Sequence, residues 1–210
     1  MQSNWAVENL QVIRTLMERS ALYRRALAPI MLTVGIIGIL AGICGHFLKT
    51  DSMRNFISLW LITSAVAVIT SFLLVRRQAM KDREPFWSPP TRRVAFALAP
   101  PLLVGFCFSI LLLLSDQGRI FPPISAWALP GLWMILYGCA LHSAGFVMAR
   151  GIRLLGWTFV FAGLIALLKT GSATASVIPK ANFSMALVFG GLHLVAGVYL
   201  YFTEKKTTAA

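Results

Sequence analysis

Six stretches of this chain contain no Asp, Glu, Lys or Arg: residues 26–48, 55–75, 94–115, 124–148, 154–168 and 181–203. Five of them are 21 to 25 residues long, and about 20 helical residues cross the ~30 Å hydrocarbon core of a bilayer. The other, between Arg153 and Lys169, has only 15 residues. Long basic side chains reach back to the headgroups, so a span over 152–172 is expected there, with a re-entrant segment as its rival. In lipid only helices and closed barrels satisfy every backbone amide. The ~10-residue alternating segments of a barrel do not occur. The expected fold is an all-α membrane protein, a six-transmembrane-helix bundle.

Composition supports this choice. The chain is 58% hydrophobic and 12% charged, whereas soluble domains average about 45–50% apolar and about 25% charged. Disorder requires low hydrophobicity, so it is excluded as well. Three cysteines, Cys44, Cys107 and Cys139, lack a C-x-x-C pattern and read as reduced apolar packing rather than a disulfide framework.

The net charge of +12, from 19 Lys and Arg against seven Asp and Glu, is explained by position. With six spans, the N-terminal segment, the even loops and the C-terminal tail share a side and hold 14 of the basic residues; the opposite side holds five. The positive-inside rule then places both termini in the cytoplasm. A nucleic-acid surface would need a continuous basic face, so nucleic acid is not an expected partner, and the bilayer is.

Residues 1–25 are polar and mixed in charge and do not read as a signal peptide. Trp5, Leu10, Ile13, Met17 and Ala21 recur near helical spacing. The segment reads as an amphipathic interfacial helix in the cytoplasm that leads into the first span, or as a docking helix for a partner. The only sizeable loop, 76–93, carries Pro85, Pro89 and Pro90 with Phe86 and Trp87. It reads as an anchored cytoplasmic turn, or as a contact patch through Phe86 and Trp87, since a stiff loop loses little entropy on binding. Residues 204–210 form a cytoplasmic tail.

Gly35, Gly38, Gly42 and Gly45 recur at intervals of three and four in the first span. Gly131, Gly138 and Gly145 recur at intervals of seven in the fourth, and Gly190 and Gly197 in the last. Small residues let helix backbones approach in lipid, so these faces are expected to pack helices within the chain or between two copies of it. His46, His142 and His193 all lie close to those glycines. Histidine beside glycine is one way to set imidazole against haem, which makes His142 and His193 candidate axial ligands of a haem b. Their expected heights differ by about 5–10 Å, at ~1.5 Å per residue, which is awkward for one iron. The competing reading gives the histidines interhelical hydrogen bonds or a partly wet crevice. No grouping with metal-ligand spacing occurs, so no metal is expected.

The six charge-free stretches contain no carboxylate, Lys, Arg or Gln, and Asn only at the edges, as Asn55 and Asn182. Ion-coupled transporters and pumps usually keep an ionisable residue at depth, so their chemistry is disfavoured. Three functions stay open. The first is a polytopic protein without its own catalytic site, a regulatory or assembly subunit with a protein partner or a second copy. The second is a small permease or channel along the glycine faces near His142 and His193. The third is a haem-binding redox subunit.

Several segments carry a resemblance. Ile13-Arg14-x-x-Met17-Glu18-Arg19-Ser20, Pro85-Phe86-Trp87-Ser88 through Thr91-Arg92-Arg93, Leu129-Pro130-Gly131-Leu132-Trp133 with Leu136-Tyr137-Gly138, and Phe189-Gly190-Gly191-Leu192-His193 resemble a family of six-span bacterial membrane proteins without established activity. The resemblance implies a location in the cytoplasmic (inner) membrane and genes often beside a small winged-helix regulator.

Overall fold

The structure, a computed structural model, describes residues 26–48, 52–115, 127–148, 150–168 and 177–208. The lead-in helix expected over 1–25 lies outside the described residues, as do 124–126 of the fourth expected span and 169–172 of the fifth. Among the described residues every regular element is helical. They are α1 (Ala26–Phe47), α2 (Met53–Lys81), α3 (Pro89–Leu114), α4 (Ala128–Ala144), α5 (Arg150–Leu168), α6 (Val177–Met185), a π-helical turn (Ala186–Gly191) and α7 (Leu192–Thr208). The last three run on as one rod.

Five helices are long and apolar enough to cross a membrane: α1, α2, α3, α5 and the α6–α7 rod. The sixth, α4, is apolar but has 17 residues, about 25 Å at 1.5 Å per residue. A helix of that length falls short of the about 20 residues that cross a ~30 Å core.

Helix ends depart from the charge-free boundaries for physical reasons. The loop expected over 76–93 shrinks to residues 82–88, because α2 runs on through Arg76 and Arg77 to Lys81 and α3 already begins at Pro89. Charged side chains end a membrane segment without ending a helix. Pro89 and Pro90 occupy the first helical positions of α3, where a missing N–H costs nothing. Ser88 precedes them as N-cap, its hydroxyl 2.9 Å from that of Thr91. At the other end of the turn Arg83 adopts φ 55°, and the amide of Glu84 donates to the Ala79 carbonyl at 2.9 Å. This is the left-handed closure usually made by glycine. The last rod starts four residues before its charge-free stretch, at Val177, and α7 continues into the expected tail as far as Thr208. Pro100 and Pro101 lie inside an uninterrupted α3.

The distribution of side chains is that of a molecule solvated by hydrocarbon. Ile62, Phe72, Leu103, Leu111, Leu164 and Val195 are exposed, whereas Ser109, Asn182 and His193 are buried. A soluble domain shows the reverse. Cys44, Cys107 and Cys139 are free thiols on exposed faces of α1, α3 and α4.

Two helix pairs come together through small residues. A Cβ built on Gly38 of α1 would lie 3.0 Å from the Gly190 Cα, and one on Gly42 would collide with the Ala186 Cβ. Gly35 faces Leu194, Gly45 faces Asn182 and Leu59, and Gly197 faces Leu32. In the second pair, a Cβ on Gly131 would lie 2.9 Å from the Gly163 oxygen and one on Gly138 2.6 Å from the Gly156 oxygen, while Gly145 abuts Arg153. Positions rise along α4 as they fall along α5, so these helices are antiparallel. Backbones this close gain the dispersion contacts that drive association in lipid.

Candidate functional site

The π turn positions a fully buried polar group of the bundle. It shifts amide-to-carbonyl pairing by one residue inside an otherwise regular rod, and it carries Phe189, whose carbonyl oxygen lies 2.6 Å from His193 Nδ1. A carbonyl can only accept, so Nδ1 holds the proton. In the neutral ring Nε2 is then a bare acceptor, and Tyr137 Oη of α4 stands 2.7 Å away as its donor. Both ring nitrogens of His193 are thereby used. The imidazole is fully buried and ringed by aromatic groups, with centroids at 4.6 Å for Phe189, 5.3 Å for Phe159 and 5.4 Å for Tyr137.

Two further polar contacts tie the same region. Trp60 Nε1 of α2 donates to Asn182 Oδ1 of α6 at 2.9 Å. Trp133 Nε1 of α4 donates to Ser109 Oγ of α3 at 2.9 Å, and Ser109 passes its own proton to the Gly105 carbonyl at 2.7 Å. Phe56 stacks on Trp133 with 5.7 Å between centroids and 9° between planes. Between these contacts α2, α3 and α4 enclose a cleft of about 550 Å³, floored by Met185 and Phe189. Its lining is apolar apart from the indoles, Tyr137 and the hydroxyls of Thr63 and Ser64, which bond to carbonyls of their own helix at 2.8 Å.

The histidines singled out from the sequence are not brought together by shared contacts. His46 is exposed beside Phe47, at 5.8 Å between centroids. His142 packs edge-on against Phe146 and Trp157, at 5.3 and 5.2 Å, and its Nδ1 is buried without a hydrogen-bond partner among the described residues. Only His193 reaches the centre of the bundle. Phe86 and Trp87 sit in the turn between α2 and α3. The Phe86 ring meets Phe72 edge-on at 4.9 Å and stacks on Trp87 at 6.2 Å, leaving Trp87 55% exposed.

Sequence reasoning passed over Tyr137, Trp60, Trp133 and Ser109 as site residues, and it placed Asn182 at an edge. A signal was available: each is a hydrogen-bonding side chain inside an apolar span, where an unpaired donor is costly. Gly156 and Gly163, seven residues apart like Gly131 and Gly138, were also readable as a second small-residue face.

Compared with known proteins, the chain matches no protein family, no curated protein and no solved structure. The likeness to six-span bacterial proteins therefore rests on the quoted segments alone.

Proposed function

We propose that this chain works by binding rather than by chemistry of its own, as a regulatory or assembly subunit in the cytoplasmic membrane of a bacterium, with both termini in the cytoplasm. The observation that carries the reading is Trp87. Large apolar rings exposed on ordered turns are the common anchors of protein interfaces, because little freedom is lost when they are covered. Here the turn is held by contacts within the chain: the Phe72–Phe86 ring contact, the Ser88–Thr91 hydroxyl bond and the left-handed Arg83. The 14 basic residues on one side of the sequence support the orientation.

The geometry favours neither competing function. The glycine faces that a permeation path would follow are filled by Gly156, Gly163, Ala186 and Gly190 of neighbouring helices. An iron at His193 would have to displace Tyr137 or the Phe189 carbonyl from a ring nitrogen.

The test is purification of the tagged full chain from native membranes, as wild type, Trp87→Ala and Trp157→Ala. Trp157, on α5, is also a partly exposed indole, at 48%. A partner lost with Trp87→Ala and kept with Trp157→Ala is expected. Retention of the partner by Trp87→Ala would remove the proposed contact.

A further inference from the structure

We propose that the cleft between α2, α3 and α4 holds one acyl chain of an anionic glycerophospholipid whose phosphate lies among the arginines flanking the α2–α3 turn. The cleft, about 550 Å³, falls within the range of specific small-molecule sites, about 300–1,000 Å³. Its polar lining atoms are already spoken for. Trp60 and Trp133 donate to Asn182 and Ser109, Tyr137 pairs with His193, and the two hydroxyls bond to their own helix. What remains for a ligand is hydrocarbon surface, which offers water no partners. The cleft also opens sideways: α2 and α3 touch each other only lightly, and the lining residues Val68, Ile69, Leu103 and Phe106 are exposed on the faces that meet lipid.

Charge selects among the lipids. Arg76 and Arg77 of α2 and Arg92 and Arg93 of α3 are exposed at one mouth of this helix pair, with Lys81 and Arg83 beside them and, in the same turn, the carboxylates of Asp82 and Glu84. Ile69 lies seven residues from Arg76 and Ala99 seven from Arg92, so the cleft starts about 10 Å below the arginines at 1.5 Å per residue. Trp60, also a lining residue, lies 16 residues from Arg76, so the cleft runs to about 24 Å below the arginines at 1.5 Å per residue, past the middle of a ~30 Å core. A lipid held by its phosphate at the arginines places the distal part of its acyl chain in the cleft, and negative headgroup charge is favoured over zwitterionic.

The experiment is native mass spectrometry of the full chain in detergent, incubated with equal concentrations of phosphatidylglycerol or phosphatidylcholine bearing the same acyl chains. One retained phosphatidylglycerol per chain is expected, in preference to phosphatidylcholine. Arg92→Gln and Arg93→Gln should each lower that preference roughly fivefold. Ala65→Trp, which fills the cleft from α2, should lower retention of both lipids, and Ala99→Phe should do so from α3. For the case in which neither bulky variant folds, the wild type in vesicles supplies an independent measurement. Phosphatidylglycerol brominated on its acyl chain should quench tryptophan fluorescence more than equally brominated phosphatidylcholine at the same mole fraction, because Trp60 and Trp133 line the cleft. Equal retention or equal quenching by the two lipids would overturn the proposal. So would unchanged retention in a monodisperse Ala65→Trp protein, or displacement of the lipid by soluble glycerol phosphate.

Discussion

Tyr137 of α4 donates its phenolic proton to Nε2 of His193 on α7, 2.7 Å away and 56 residues on in the sequence. The contact fixes the imidazole tautomer from one side while the Phe189 carbonyl fixes it from the other, and it joins the two glycine-packed helix pairs at their centre.

Tyr137→Phe removes the donor and leaves a buried acceptor unpaired. A loss of about 1–2 kcal/mol in unfolding free energy is expected, measured by denaturing-detergent titration in bicelles. The second signature is spectroscopic: the Nε2 nitrogen-15 shift of His193 should move toward that of a free acceptor. A variant as stable as wild type, with an unchanged shift, would mean that the bond is not made.

The glycine contacts give a paired comparison. A methyl group at Gly138 would lie 2.6 Å from the Gly156 carbonyl oxygen, whereas nothing lies within 4 Å of one at Gly191. Gly138→Ala should cost about 1–3 kcal/mol through forced separation of α4 and α5, and Gly191→Ala no more than about 0.5 kcal/mol. The same titration checks both, and similar losses at the two positions would contradict the packing described.

Arg83 bears a conformational cost that glycine would not. A side chain in the left-handed region loses about 1–2 kcal/mol, partly offset on substitution by the larger freedom of glycine in the unfolded chain. Arg83→Gly should thus raise stability by up to about 1 kcal/mol, and Arg83→Val should lower it. Thermal unfolding in detergent reads both, and the opposite order would show that the turn closes differently.

How much of this could be read in advance follows from which forces act locally. The bilayer imposes its thickness on the sequence directly, so the charge-free stretches locate the helices. They misplace the ends, since α2 carries Arg76, Arg77 and Lys81 on helical backbone beyond the apolar segment. The glycine face of α4 was visible, but its partner was not: nothing local says that Gly138 meets Gly156 rather than a glycine of α1. Asn182 looked peripheral because its charge-free stretch begins at 181. The rod starts at Val177, which puts Asn182 more than a turn inside and buries it against an indole 122 residues earlier. The Tyr137–His193 bond was hidden for the same reason. Pairing across the bundle depends on register, and register is set by the sum of all packed faces.

A protein partner at Trp87 should be captured by photo-crosslinking in native membranes, with Trp87→p-benzoylphenylalanine compared with the same substitution at Leu164, an exposed residue of α5. A discrete protein adduct from position 87 that is absent from position 164 is expected. An adduct to lipid alone at position 87 would contradict the claim and leave Trp87 as an anchor in the headgroup layer.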